Sequence, residues 1–247
     1  MPADEPELNA GGRAPDEVRA MFARVSRRYD LLNHLLSFRR DVFWRAMAAK
    51  EAAGLSKGDT IADLCTGTGD LALALHQAAP AARLLAFDFT PEMLALGQAK
   101  ASARGAEQIH FYLADALALP LQSNSAALAC VAFGIRNVAD WRGALREMAR
   151  VVRPGGKIVI LEFTQPRGIF FGRLYQFYFH RILPLLARLF SSRSEDAYRY
   201  LPRSVRAFAG PEELCACMRE FGLADVQAKP LTFGIVHLCR GTKKICQ

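Results

Sequence analysis

The chain has 247 residues, 51% of them apolar and 23% charged, which is enough to bury one large core and too apolar for a disordered chain. No stretch approaches the ~20 uninterrupted apolar residues that a bilayer span needs, and the acidic MPADEPELNAGG start lacks the basic and apolar regions of a secretory signal, so neither is expected. The net charge of +8 is unevenly placed: residues 1–140 sum to −2 and residues 141–247 to +10, which suits a solvated basic surface, nucleic acid or an anionic membrane.

Residues 1–15 are rich in Pro, Gly and acid and predict a mobile leader; residues 16–247 are expected to form one domain. From Glu17 to about Ala53, within an N-terminal cap at 16–56, the apolar spacing is helical, with Tyr29, Leu32, Leu35 and Leu36 near one face. Asn33 and Ser37 interrupt that spacing, so two or three short helices are expected as an N-terminal cap. Strand and helix then alternate. Thr60–Cys65 predicts a strand, Leu71–Ala79 a helix, Arg83–Asp88 a strand, and Pro91–Arg104 a helix with its proline in the first turn. Gln108–Leu113 and Ala126–Phe133 predict two further strands, Ala139–Val152 a helix, Arg153–Gly156 a turn and Lys157–Glu162 a fifth strand. Such alternation predicts an α/β fold, a mostly parallel sheet with helices on both faces. Residues 164–210 break the rhythm as a helical insertion rich in aromatics. A helix over Pro211–Phe221 and strands near Ala224–Pro230 and Phe233–Arg240 follow, the last two close enough for an antiparallel hairpin.

The first strand empties into Asp63-Leu-Cys-Thr-Gly-Thr-Gly-Asp70. Gly67 and Gly69 allow a sharp turn and close approach of a ligand, but a lone G-x-G is weak evidence, and the third glycine of a dinucleotide fingerprint is Ala72 here. The acids discriminate better. Asp63 and Asp70 bracket the loop with negative charge, which favours S-adenosylmethionine, a sulfonium with an ammonium, over a pyrophosphate. Asp88 at the end of the second strand can accept from ribose hydroxyls, and Asp115 from an adenine amino group. Either could instead cap a turn. The six cysteines at 65, 130, 215, 217, 239 and 246 match neither a zinc framework nor a disulfide scaffold, so no metal is expected.

The order of these features resembles that of class I (Rossmann-like) methyltransferases, which implies a seven-stranded sheet with its last strand antiparallel. The strand-four loop, Ala132-Phe-Gly-Ile-Arg-Asn137, is not the Pro-Pro tetrapeptide of amino-methylating enzymes on nucleic acids, and no Pro-Cys pair occurs for pyrimidine carbon methylation. The likeness becomes specific in Arg28-Tyr-Asp-Leu-Leu-Asn-His-Leu-Leu-Ser37, Trp44-Arg45, Phe133-Gly-Ile-Arg-Asn-Val138, Leu161-Glu-Phe163 and Tyr198-Arg-Tyr-Leu-Pro-x-Ser204. Together with the Gly-rich loop they resemble the menaquinone/ubiquinone biosynthesis C-methyltransferases (UbiE/MenG type), from about residue 17 to 243.

That resemblance implies methylation of a prenylated quinol ring carbon, demethylmenaquinol giving menaquinol, with S-adenosylmethionine as cofactor. It maps cofactor contacts onto Thr68, Asp88, Asp115 and Ala116, beside Asp63, Thr66, Gly67 and Gly69 of the loop. A family Ser contact falls on Ala132, where only a backbone contact can survive. Arg136 could hold a developing quinolate or orient a water, Asn137 could bond a ring oxygen, and Tyr29 could cover the site. A structural salt bridge is the competing reading of Arg136, and His110 and His180 are alternative bases that nothing places near the methyl. Ile169–Phe190, with Arg173, Arg181 and Arg188, fits an amphipathic substrate lid or peripheral membrane contact, or else a helix packed on the core. A cytoplasmic protein on the inner face of an anionic membrane, compatible with a homodimer and without nucleic acid, is the expectation. The rivals are a methyltransferase of another lipophilic phenol or sterol-like acceptor, and a basic nucleic-acid-binding protein that retains S-adenosylmethionine. The lack of any recognisable RNA-binding module argues against the last.

Overall fold

The computed structural model describes residues 8–165 and 195–245. Ile169–Phe190, including Arg173, Arg181 and Arg188, lies outside the described residues, as does His180.

The chain opens with helix α1 (Pro15–Leu36), whose first turn holds Pro15 and whose Glu17 carboxylate accepts from the Ala14 N–H at 3.1 Å. It is one 22-residue helix where shorter ones were expected. Asn33 stays helical, its side chain bonded to Tyr29 one turn back, and the helix ends only at Ser37, whose N–H closes on Asn33 O at 2.9 Å. Helix α2 (Arg40–Ala49) follows across a three-residue corner.

Then come β1 (Thr60–Leu64), α3 (Asp70–Ala78), β2 (Arg83–Asp88), α4 (Pro91–Ala103), β3 (Ile109–Leu113), β4 (Ala126–Ala132), α5 (Trp141–Val151) and β5 (Val152–Phe163). The chain closes with α6 (Glu195–Ala207), α7 (Pro211–Glu220), β6 (Leu223–Leu231) and β7 (Val236–Lys243). Helix α5 starts at Trp141 because the Asp140 carboxylate caps it, accepting from Gly143 N–H at 2.7 Å. The expected turn at 153–156 is the start of β5. Ala126 pairs with Val152 and Leu128 with Lys157, so the intervening residues bulge out, and Gly156 lies so close to Ala127 O that a Cβ would sit 2.8 Å from it.

The seven strands order as β3-β2-β1-β4-β5-β7-β6, with β7 antiparallel to both neighbours and the remaining pairings parallel. This is the expected seven-stranded fold. Alternate residues of the central strands feed two cores. Ile61, Leu128 and Cys130 join Trp44, Leu71 and Leu75 on one face; Leu64, Ala129 and Val131 join Leu145, Met148 and Met218 on the other. Successive strands step from β1 outward to β3, then return to β4 on the opposite side of β1. The crevice beyond the carboxyl ends of β1 and β4 is where such a sheet binds ligands.

At that crevice Gly134 is packed so closely that a Cβ would stand 2.3 Å from the Cys65 Cβ. Cys65 cannot readily retreat, since its φ of 50° already holds it in the left-handed region. Gly134→Ala should therefore cost ~1–3 kcal/mol through overpacking and lower the melting temperature by several degrees. Calorimetric melting that matched the parent protein would show the two loops to be free to separate.

Candidate active site

After β1 the chain turns through Gly67 and Gly69, both left-handed at φ 56° and 79°, before α3 begins at Asp70. Nothing lies within 4 Å of where a Gly67 Cβ would stand, so the loop is open on that side. Its backbone is fixed from β2: Gly67 N–H donates to Asp88 Oδ2 at 2.8 Å, and Thr90 N–H to Asp88 Oδ1 at 2.9 Å. Thr66 Oγ1 donates to Asp63 Oδ2 at 2.6 Å. The other Asp63 oxygen, Oδ1, is buried and has no hydrogen-bond partner among the described residues.

The loop forms one wall of a cleft holding about 1080 Å³ of empty space, its open mouth included. Asp63, Thr66, Gly67, Thr68, Asp88, Asp115, Ala116, Ala132, Asn137 and Tyr29 all line it, so ten of the twelve residues singled out in the sequence converge on one cavity. Gly69 and Arg136 are not among its lining residues. Gly69 serves as the N-terminal flank of α3 and faces Phe111. Asp88 and Asp115 are turn caps as well as cavity walls, Asp115 accepting from Leu117 N–H at 2.9 Å.

The placement of Arg136 corrects the expectation that its guanidinium faces a reacting group. Only 5% exposed, it bonds Glu162 at 2.8 Å and the Phe133 carbonyl, behind the cavity wall. Burial raises the Glu162 carboxyl and Arg136 opposes that shift. Its effect on the cavity is indirect, because the same Phe133 carbonyl also accepts from Asn137 Nδ2 at 3.4 Å. Asn137 is held from behind too: Tyr200 donates to its Oδ1 at 3.0 Å, and Asn9 Nδ2 to its backbone oxygen at 3.1 Å. Asn9 and the turn to Arg13, within the stretch expected to be a leader, pack against Tyr200. Tyr29 is raised by burial, with Arg136 and Arg45 opposing, so its phenol stays protonated at neutral pH.

The charges around the loop also differ from the sequence reading. Asp70 does not stand as a free negative charge. Lys100 from α4 reaches Asp70 at 2.7 Å and also bonds Asp30 of α1 and Thr68 Oγ1. Burial alone would raise the Asp70 carboxyl, yet Arg45 and Lys100 hold it below its usual range. His34, Asp41 and Asp70 bring ligand atoms within 4.8 Å of one another, but Arg45 is bonded to Asp41 and lies 3.8 Å from Asp70, filling the place of a cation. Asp63 has no such partner. Burial, strengthened by the nearby Asp88 and opposed by the Thr66 hydroxyl, lifts its pKa to about 7. The Lys100 cluster and the Asn9–Tyr200–Asn137 chain escaped the sequence reading. Tyr200 at least stood in one of the quoted motifs, whereas nothing marked Lys100 within its helix.

Residues 12–243 match the sequence profile of the ubiE/COQ5 methyltransferase family. The demethylmenaquinone methyltransferase of Thermus thermophilus is 48% identical over 224 residues, covering 90% of this chain and 100% of that one. The ubiquinone/menaquinone biosynthesis C-methyltransferase UbiE of Geobacter sulfurreducens is 42% identical, over 92% of this chain and 89% of its own. Among solved structures, a SAM-dependent methyltransferase of Thermotoga maritima superposes with a TM-score of 0.63 at 20% identity, covering 92% of this chain and 100% of that one. A Haemonchus contortus phosphoethanolamine N-methyltransferase in complex with S-adenosyl-L-methionine superposes at 0.61 and 12% identity, over 81% of this chain and 52% of its own.

The raised Asp63 carboxyl carries a sign that can be measured. Its pKa of about 7 in the folded chain exceeds the ordinary 3.8, so the fold prefers the protonated acid. That preference is fully present below pH ~4 and lost as pH rises toward about 7, on the order of 1 kcal/mol per pH unit. Between pH 5 and 7 the ligand-free protein should therefore lose stability relative to Asp63→Asn in urea titrations, with no further divergence at pH 8. Parallel pH profiles for the two proteins would mean that Asp63 is ionised throughout.

Proposed function

The chain belongs to the ubiE/COQ5 methyltransferase family, and from that premise we propose that it methylates a ring carbon of a prenylated quinol, demethylmenaquinol giving menaquinol, with S-adenosylmethionine as donor. The observation that carries this reading is the cavity at the carboxyl ends of β1, β2 and β4, cornered by two left-handed glycines, where Asp63 keeps a buried, unpartnered carboxylate oxygen. The residues fit a cationic donor. Asp63, Asp88 and Asp115 face the space, and the one basic residue lining it among the described residues, Arg45, is committed to Asp41. A pyrophosphate would meet these acids with repulsion, whereas an ammonium or sulfonium relieves the burial of Asp63.

In this reading Asp63 and the Thr66–Thr68 part of the loop would hold the amino-acid end of the donor. Asp88 accepts from the ribose hydroxyls, Asp115 and Ala116 meet the adenine, and Ala132 offers backbone alone. When bound, S-adenosylmethionine supplies an electrophilic methyl group. The chain must then present an electron-rich ring carbon and stabilise the charge on its oxygen. Asn137 suits the second task, because its Nδ2 has only the long 3.4 Å bond to Phe133 O and can donate to a ring oxygen. Tyr29, kept protonated by burial, is a second donor over the cavity. Arg136 is a positioning residue that fixes Asn137 through the shared Phe133 carbonyl.

Among the described residues no helix is long and apolar enough to cross a membrane. Peripheral contact with the cytoplasmic face of an anionic membrane is part of the proposal, supported by a lipophilic acceptor and by the +10 charge of residues 141–247. The names of the relatives favour a quinol over a sterol-like acceptor, and nucleic acid plays no part.

Two measurements test this. An oxidised quinone ring is electron-poor and cannot attack a methyl cation equivalent, so labelled methyl should enter demethylmenaquinone anaerobically only when dithionite has reduced it to the quinol. Equal incorporation without reductant would refute attack by a quinol carbon. Separately, Asp88→Ala should leave the fold intact but weaken S-adenosylmethionine binding by roughly 10–150-fold, the loss of hydrogen bonds to a charged acceptor at ~1.5–3 kcal/mol. An unchanged calorimetric affinity would remove Asp88 from the donor site.

A further inference from the structure

The end of α1, the corner after it and the start of α2 turn five large apolar side chains to solvent: Leu31, Leu35, Phe38, Val42 and Phe43. Phe38 is 77% exposed at a corner where both it and Arg39 are left-handed, with φ of 51° and 59°. That conformation is unfavourable for L residues, yet it is held by Phe38 N–H to Leu35 O at 3.1 Å and Arg39 N–H to His34 O at 2.7 Å. The pattern recurs nearby. Trp44 Nε1 of α2 donates to Thr232 Oγ1 at 2.8 Å, bringing against α2 a second left-handed pair, Thr232 and Phe233, whose Phe233 is 69% exposed. In both places the backbone is bent so that a phenylalanine projects outward.

Between residues 27 and 43 the fully exposed charges are of one sign. Arg27, Arg28, Arg39 and Arg40 are all exposed. Asp41, the one acid between residues 31 and 50, is 3% exposed and turned inward onto Ser37, His34 and Arg45. Asp30 is likewise drawn away to Lys100. An apolar centre with an arginine rim complements an anionic lipid surface, into which aromatic and aliphatic side chains insert while arginines meet the headgroups. A second copy of the chain would bring two arginine rims together, and a nucleic acid would leave the apolar centre without a partner. On another side of α1, Phe22 and Tyr29 line the cavity.

We propose that this corner seats the protein on an anionic bilayer, so that a prenylated acceptor passes from the lipid to the cavity beside α1. The proposal rests on the quinol reading above for its purpose, but its test separates the two. Co-sedimentation would use phosphatidylcholine vesicles with and without phosphatidylglycerol, comparing the parent protein with Arg39→Gln/Arg40→Gln and with Phe38→Ser/Phe43→Ser. The parent should prefer the anionic vesicles, less so at high salt. The arginine variant should bind them about 25-fold more weakly, about fivefold per residue, or ~1 kcal/mol each. The phenylalanine variant should lose binding at every salt concentration. Both should methylate a short-tailed, water-soluble quinol at the parent rate and lose turnover on a long-tailed quinol held in vesicles. Vesicle binding by both variants equal to the parent's, or a parent that binds neither vesicle type or both alike, would overturn the assignment. So would loss of short-tail turnover in the variants. A parent that binds anionic vesicles through this corner but never methylates the short-tailed quinol would instead defeat the quinol reading and leave the corner standing.

Discussion

The ammonium of Lys100 holds the site together. From α4 it bonds Asp70 at the start of α3, Thr68 in the Gly-rich loop and Asp30 on α1, so one cation joins three elements that the sheet alone would leave independent. The Lys100 and Asp70 side chains are 17% and 16% exposed, beyond the reach of most solvent screening. Such a pair is worth more than the ~0–1 kcal/mol of a surface ion pair, and removing one partner leaves the other charge poorly solvated. Because α1 is fastened here, Phe22 and Tyr29 form a wall of the cavity and the strained corner at Phe38 has a fixed direction. The Gly-rich loop in turn keeps the shape that leaves the Oδ1 oxygen of Asp63 without a partner.

Two buried carboxylates near the cavity are treated oppositely, and the contrast explains which side faces a cation. Glu162 is neutralised internally by Arg136 and by its neighbour's backbone N–H, and serves the architecture of the strand-four loop. Asp63 receives the Thr66 hydroxyl and is drawn down by Arg45 from a distance, but the cost of desolvation, strengthened by Asp88, outweighs them and lifts it to about 7. A fold that bonds an arginine directly to one buried acid, and at the other has Arg45 acting only from a distance, keeps an oxygen of the second for a ligand. That difference, more than the number of acids around the loop, is the electrostatic preference for a cationic donor.

Much of this was legible in the chain because it is local. Strands announce themselves by short apolar runs ending in turn residues, and β2 runs over Arg83–Asp88 as the alternation predicts. The cavity residues sit at strand ends in motifs that spell out their own turns. What escaped depends on partners distant in sequence. Asn33 looked like an interruption of a helix because its bond to Tyr29 is invisible in a hydrophobic pattern. Arg153–Gly156 has turn composition, yet the sheet absorbs it as a bulge against β4. Arg136 and Glu162 stood in two separate motifs, 26 residues apart, and no spacing rule says that they pair. Asp70 was read as a free charge for the same reason, since Lys100 lies 30 residues further on.

The Arg136 pair also limits what kind of catalyst this can be. A guanidinium bonded to Glu162 and to a backbone carbonyl, 5% exposed, cannot take a proton from a quinol, and its high pKa would forbid it in any case. Among the described residues, the donors that face the cavity beside its acids, Asn137 and Tyr29, are neutral at physiological pH, and the acids Asp63, Asp88 and Asp115 belong in the proposed reading to the methyl donor. Neutral donors stabilise an anion that the acceptor has already begun to form, but they do not create it. The acceptor must therefore bring its own acidity and electron density, which a phenolic quinol does and an isolated alkene or a saturated carbon does not. In the proposed reading the chain contributes orientation and hydrogen bonds to the developing quinolate, and leaves the nucleophilicity to the reduced ring.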